Sequence, residues 1–151
     1  MVSSISKGTV WDILCSISDP EIPSISIVDL GIIRNVQFDK EMLTITITPT
    51  YSGCPAMLFI KEEITRQLEL GGVLNYVIET TLSPPWTTDW MSVEVKNKLK
   101  EAGISPPSKT VICPQCNSRN VEIISNFGST ACKALYKCVK CEEPFHHFKQ
   151  F

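Results

Sequence analysis

Apolar residues along the first hundred positions switch between two periods. Val10, Ile13, Leu14 and Ile17 recur at helical spacing after Thr9, and Asp19-Pro20-Glu21-Ile22-Pro23 ends that run, because proline has no N–H with which to continue a helix. Ile32 to Phe38 and Met42 to Thr48 then alternate with period two across Asp39-Lys40-Glu41. Leu43, Ile45 and Ile47 face one side of the expected hairpin, and Thr44, Thr46 and Thr48 the other. The helical period returns from Pro55 to Leu70, with Met57, Ile60, Ile64 and Leu68 inward and Gly71-Gly72 as the stop. Val73 to Leu82 reads as a third strand; reached by a helical crossover, it should lie parallel to a neighbour. A last helix, about Asp89 to Ala102, carries Met91, Val95 and Leu99 and ends at Gly103, before the short linker Pro106-Pro107. The expected fold is α+β: a small three-stranded mixed sheet packed by helices in the order α-β-β-α-β-α, over residues 1–107.

Residues 108–151 follow a different logic. Cys113-Pro114-Gln115-Cys116 and Cys138-Val139-Lys140-Cys141 are two hooks separated by 21 residues, the spacing that closes a tetrahedral metal site. About forty residues cannot bury enough apolar surface to fold without such a staple. Val121, Ile123 and Ser125, then Leu135-Tyr136-Lys137, then Phe145 to Phe148 supply strand-like runs, so the segment reads as a β-type zinc ribbon. Zinc is favoured over iron, because a rubredoxin-type site usually has glycine after each hook, where Asn117 and Glu142 stand here. His146 and His147 read as packing or surface residues, since four thiolates already fill the tetrahedron.

Composition narrows the function classes. A chain of 151 residues holds one domain of about 100 residues plus the ribbon, with no room for a large multidomain enzyme. No apolar run approaches the ~20 residues of a membrane span, and Met1 to Lys7 lacks the pattern of a signal peptide, so a cytoplasmic protein is expected. Seven cysteines, an odd number with four assigned to metal, fit a reducing compartment without disulfides. Net charge is −2, and the tail sets Arg119, Lys133, Lys137, Lys140 and Lys149 against Glu122, Glu142 and Glu143. Neither part is a basic patch that tracks phosphates, which argues against nucleic acid and for a protein partner.

Among single residues the sharpest chemical candidate is Cys54, in Thr50-Tyr51-Ser52-Gly53-Cys54-Pro55. With proline at the first helical position, Cys54 falls at the N-cap among free N–H groups, which favours thiolate; the alternative is a small capping or packing residue. Cys15, beside the first apolar stripe, reads as a buried thiol. Asp19 and Glu21 are either an acid pair or an ordinary helix-to-loop turn. Trp86 and Trp90 either pack the domain or anchor a partner.

Three motifs in register resemble the small α/β domain of iron–sulfur assembly and targeting factors: Asp19-Pro20-Glu21-Ile22-Pro23, Ile27-Val28-Asp29-Leu30-Gly31-Ile32-Ile33 and Gly53-Cys54-Pro55. The likeness continues through Leu82-Ser83-Pro84-Pro85-Trp86-Thr87-Thr88-Asp89-Trp90-Met91, Gly103-Ile104-Ser105-Pro106-Pro107 and Phe127-Gly128-Ser129-Thr130-Ala131-Cys132-Lys133-Ala134-Leu135-Tyr136. Together with Glu143-Pro144-Phe145, these segments are similar to the D-subunit family of the bacterial phenylacetyl-CoA epoxidase system.

That resemblance implies a non-enzymatic accessory role in aerobic phenylacetate breakdown. Partners would be the epoxidase oxygenase and reductase subunits and iron–sulfur assembly proteins, with homodimerisation left open. Cofactors would be structural zinc and a transient iron or iron–sulfur cluster. It makes Cys54 the iron- or cluster-handling thiolate, with Asp19, Glu21 and Asp29 supporting. Cys132 is then a buried ribbon residue or a second transfer ligand. The chain has no Glu-x-x-His pair for a diiron site and no glycine-rich nucleotide loop, in keeping with that role. Two other readings stand beside it: a scaffold that binds epoxidase subunits, and a thiol enzyme with Cys54 as nucleophile, for which no histidine is at hand outside the tail.

Overall fold

A computed structural model describes residues 5–50 and 55–150. It divides into two compact units, the first ending at Trp86 and the second beginning at Thr87. The first opens with helix α1 (Lys7–Cys15), which starts ahead of Thr9 because Ser6 caps it: the Ser6 hydroxyl accepts the Thr9 N–H at 3.1 Å. Val10, Leu14 and Ile17 are buried, but Cys15 is exposed, which corrects its reading as a buried thiol. At about 100° per residue it points some 140° away from the Val10 line, too far round the helix to reach the core.

From Ile17 to Ile32 the chain has little regular structure, yet Ile22, Ile25, Ile27 and Leu30 are buried. Side-chain hydrogen bonds shape it instead. Asp19 Oδ1 accepts the N–H groups of Glu21 and Ile22 at 2.9 and 3.0 Å, and Ser18 bridges Ser26. Ser26 Oγ accepts the Asp29 N–H at 2.9 Å while Asp29 Oδ2 accepts the Ser26 N–H at 3.2 Å, the reciprocal arrangement of a capping box.

The sheet that follows has the order β1 (Ile33–Asp39), β2 (Met42–Ile47), β3 (Tyr76–Thr80), antiparallel then parallel, as the crossover required. Leu43, Ile45 and Ile47 are fully buried; Thr44 and Thr46 are half-buried. Thr48 departs from the alternation. It lies one residue past β2, donates its N–H to the Ile32 carbonyl and is buried.

Helix α2 (Ala56–Leu70) buries Met57, Ile60, Ile64 and Leu68, the expected stripe. Its end is a Schellman motif: Gly72, at φ +83°, donates to the Glu69 carbonyl and Val73 to the Leu68 carbonyl. A Cβ on Gly71 would come within 2.9 Å of Ile13 Cδ1, so glycine there lets α1 and α2 approach. Trp86 closes the unit, 4% exposed, with its indole N–H donating to the Leu30 carbonyl at 2.8 Å. It packs the domain and offers no surface anchor.

In the second unit the helix expected from Asp89 is two pieces. Thr88–Trp90 is a 3₁₀ turn, and helix α3 (Val93–Glu101) starts afresh at Ser92, whose hydroxyl caps the Val95 N–H. Strand β4 (Ile104–Ser105) joins β5 (Val121–Ser125), β6 (Lys133–Cys138) and β7 (Pro144–Phe148) in a sheet of order β4-β7-β6-β5. β4 runs parallel to β7, and buried His147 reaches across that pairing with Nδ1 3.3 Å from Ser105 Oγ. Two residues are too short to carry a periodic signal, so the sequence pattern does not mark β4.

This packing has measurable consequences in each unit. Trp86→Phe should destabilise the first unit by about 1–3 kcal/mol in urea unfolding, because it strands the buried Leu30 carbonyl while preserving most of the apolar volume. The histidines of β7 should make the second unit acid-sensitive. Desolvation, reinforced at His146 by the charge of Lys133 and opposed at His147 by the Ser105 backbone, holds both imidazoles below the ordinary 6.5. The unfolded chain therefore takes up protons first, so the stabilisation is full above about pH 6.5 and is lost as pH falls from there towards the lowered native values. Urea titrations of wild type and of the double variant His146→Gln/His147→Gln should diverge in slope over that window.

Candidate metal centre

The two hooks are built alike. The N–H of Cys113 donates to the Ser118 carbonyl at 2.9 Å, and that of Cys138 to the Glu143 carbonyl at 3.0 Å, so each first cysteine ties down the chain five residues on. The residue after each second cysteine, Asn117 at φ +62° and Glu142 at φ +63°, takes the left-handed conformation that turns the chain back. Asparagine tolerates it well; glutamate costs on the order of 1 kcal/mol there. A further bond, Val139 N–H to the Asn120 carbonyl at 2.9 Å, fastens one hook to the other.

This geometry brings the four sulfurs of Cys113, Cys116, Cys138 and Cys141 within 4.8 Å of one another. Cys113 and Cys141 stand 3.6 Å apart and Cys116 and Cys138 3.5 Å apart. A tetrahedron with zinc–sulfur bonds of about 2.3 Å has edges of about 3.8 Å, so the residues fit a four-thiolate metal site. Cys113 and Cys138 are fully buried and pack with Phe145 against Val111, Val121 and Tyr136; the Tyr136 and Phe145 rings stack at 5.9 Å. Among the described residues, no second group of three or more His, Cys, Asp or Glu side chains has ligand-like spacing.

The quartet cannot ionise as four independent thiols. The Cys141 N–H, donating to the Cys138 sulfur at 3.4 Å, leads in pushing the Cys138 thiol down to about 6. At Cys141 the Glu143 N–H favours the thiolate, but burial and the sulfurs of Cys138, Cys113 and Cys116 together push it up to about 12. A bound dication supplies the charge that lets all four be thiolates, and with four protein ligands it has no open position for a substrate.

The other site candidates fall elsewhere. Cys54 and Gly53 lie outside the described residues; α2 begins at Ala56 with Pro55, at φ −66° and ψ −23°, as its N-cap, so the expected start of the helix at Pro55, with the cysteine as its cap, shifts by one residue. Asp19 and Asp29 hold the turns of the Ile17–Ile32 segment, and Glu21 is half-buried in the first of them. Cys132 is buried outside the quartet, its sulfur 3.0 Å from Thr130 Oγ1. His146 and His147 contact Ser129 and Ser105 respectively and take no part in the cysteine cluster. The Ser105–His147 contact leaves no mark in the sequence, whereas the left-handed residues directly follow each hook, a fixed position that could have located them.

Comparisons with known proteins now bear on both units. Residues 7–74 match the family described as iron–sulfur cluster assembly protein, and residues 99–149 match the PaaD zinc beta ribbon domain. A protein of Escherichia coli strain K12, named as a candidate D subunit of 1,2-phenylacetyl-CoA epoxidase, is 45% identical over 93% of this chain and 90% of its own length. An Fe-S protein maturation auxiliary factor of Porphyromonas gingivalis is 39% identical over 57% of this chain and 83% of its own. A DUF59 domain from Bacillus anthracis superposes with TM-score 0.56 at 28% identity, over 62% of this chain and 90% of its own. A conserved hypothetical protein from Thermotoga maritima superposes with TM-score 0.55 at 29% identity, over 66% of this chain and 98% of its own. With its cysteine quartet, its mixed sheet and this likeness along nearly its whole length, the chain belongs to the family of the phenylacetyl-CoA epoxidase D subunit, an iron–sulfur assembly-type domain joined to a zinc ribbon.

Proposed function

We propose that this chain is an accessory factor of a phenylacetyl-CoA epoxidase that helps to assemble iron or iron–sulfur centres in partner subunits. The carrying observation is the pairing in one chain of an iron–sulfur assembly-type domain with a closed four-cysteine ribbon. It is supported by relatives named as Fe-S protein maturation auxiliary factors and by the relative named for the epoxidase. On this reading the ribbon holds zinc for structure, and the partners are the oxygenase or reductase subunits and cytoplasmic iron–sulfur assembly proteins.

The working group is Cys54, the cysteine before Pro55. Of the seven cysteines, four form the quartet, Cys132 is buried and Cys15 sits exposed on α1 far round from the core. A thiolate is a soft iron ligand, and a transfer ligand must be able to let go. Asp19, Glu21 and Asp29 support it by holding the Ile17–Ile32 segment in shape. The scaffold alternative keeps the same partners and makes Cys54 structural; it loses one anchor, since Trp86 is buried.

The full chain, purified aerobically, should carry about one zinc by elemental analysis, and Cys113→Ser should lose it. Metal affinity then supplies on the order of 10 kcal/mol of the ribbon's folding free energy. Amide resonances of residues 121–148 should accordingly collapse while those of the first unit persist. A soluble, fully folded Cys113→Ser protein without metal would overturn the structural role.

Cys54→Ser is expected to abolish growth on phenylacetate of a deletion strain while changing stability by less than about 1 kcal/mol, because serine is close to cysteine in size but is no soft ligand. Iron content of the oxygenase and reductase subunits recovered from that strain should fall in step. Normal growth with fully metallated partners would leave the scaffold as the function.

A further inference from the structure

The outward face of α2 changes character along its length. At about 100° per residue, the direction opposite the buried stripe of Met57, Ile60, Ile64 and Leu68 is flanked by Leu58 and Phe59 in the first turn and then by Glu62, Arg66 and Glu69. All five are exposed, Leu58 to 67% and Phe59 to 53%. Single apolar side chains on a surface are ordinary, but two adjacent ones on a face that otherwise carries charge are not what a solvated helix requires. The charged part finds its partners within the unit. Arg66 is ion-paired with Glu63, and Glu69 accepts the Tyr76 hydroxyl at 3.1 Å, whereas the apolar first turn stays open to solvent. Leu70, also exposed on this helix, stands about 18 Å along the axis from Leu58.

Chain connectivity ties the first turn to the thiol on which the proposed function rests. Two peptide units separate Cys54 from Ala56, a reach of at most about 8 Å, and Leu58 and Phe59 follow within one helical turn, so both fall within about 13 Å of that cysteine. A protein that receives an iron centre from a thiolate must bring its own ligands against the sulfur. An interface of standard size covers about 800 Å² on each partner, a disc of about 16 Å radius, and one centred on Cys54 reaches the first turn of α2. Interface cores are enriched in aromatic residues and depleted in charge, which matches Leu58 and Phe59 and not the turns that follow. A lipid surface fits poorly. Lys61, Glu62, Glu63, Arg66 and Glu69 carry a net −1, without the basic excess that holds a helix on anionic headgroups.

We propose that Leu58 and Phe59 form the docking surface for the subunit that receives the iron–sulfur cluster, a protein presenting an apolar pocket beside the empty thiolate ligands of its own cluster site. The proposal rests on the reading of Cys54 as the working thiolate, and names where the client of that thiolate is held.

The test titrates the full-length, zinc-loaded chain by calorimetry against the epoxidase reductase subunit stripped of its cluster. Saturable binding is expected for the wild type. The double variant Leu58→Ser/Phe59→Ser should bind at least tenfold more weakly, while Leu70→Ser on the same helix and Cys54→Ser stay within about threefold of wild type. Both substituted side chains are exposed, so circular dichroism and zinc content should match the wild type. Should the double variant fold poorly, Phe59→Ala, which keeps a strong helix former, should still weaken binding about fivefold or more. Absence of wild-type binding, or undiminished binding by whichever variant folds, overturns the docking surface and leaves Cys54 to its growth test. Sedimentation in which the wild type is a dimer and the double variant a monomer, with client binding unchanged, assigns the turn to a second copy and likewise overturns the proposal. Docking that depends on Leu58 and Phe59, together with fully metallated partners in the Cys54→Ser strain, supports the surface and removes the thiolate reading instead.

Discussion

The cysteine end of the second unit depends on four sulfur atoms being held within one coordination sphere of each other. The two fully buried ones, Cys113 and Cys138, sit where a larger protein would have leucine or isoleucine, with Phe145 as their main buried apolar neighbour. Such a cluster offers little hydrophobic stabilisation of its own, of the order of 1.5–3 kcal/mol per buried side chain. Without a metal it also confines thiols whose ionisation is mutually antagonistic. The backbone accepts left-handed φ values at Asn117 and Glu142 to keep this geometry, a cost that metal–thiolate bonding offsets many times over.

The same closure limits what the quartet does. With four protein sulfurs around one ion there is no vacant position, and two of the four ligands are shut off from solvent. Such a site holds its metal and does not pass it on. Any exchange chemistry must use a thiol outside it, which is why the functional reading turns on the first unit although the cysteine hooks are the louder signal in the sequence.

Periodic features are legible from the sequence, because periodicity is what burial on a helix or strand requires. The stripe of α2, the alternation of β2 and the parallel placement of β3 all follow from spacings of 3.6 and 2 and from the handedness of a helical crossover. What escapes is set by single contacts. Ser6 starts α1 ahead of Thr9 through one hydroxyl, and Ser92 restarts the helix that the sequence pattern runs together with the 3₁₀ turn at Thr88–Trp90. Cys15 looks core-like by proximity to an apolar stripe, yet lies on the wrong side of a helix that ends with it. Trp86 admits two readings until its indole N–H is seen bonded to the Leu30 carbonyl, a partner 56 residues away that no local pattern marks. At the candidate site, the quartet is readable from spacing because a metal dictates spacing. The roles of Asp19 and Asp29 are not, because a carboxylate that shapes a turn and one that serves chemistry look alike in a sequence.

Those carboxylates suggest how the first unit is organised. The Ile17–Ile32 segment buries six aliphatic side chains, Ile17, Ile22, Ile25, Ile27, Leu30 and Ile32, without a helix or a strand to present them. Backbone N–H groups in such a buried segment need acceptors, and one oxygen each of Asp19 and Asp29 accepts three of these N–H groups between them. Replacing either aspartate would therefore disturb the segment before it disturbed any ligand, so loss of activity in such a variant would not identify a catalytic or metal-binding carboxylate. Asparagine keeps an acceptor oxygen at the same place and removes the charge. An asparagine variant that preserves the fold and loses function would assign the charge a chemical role, whereas one that preserves both would confine the residue to the turn.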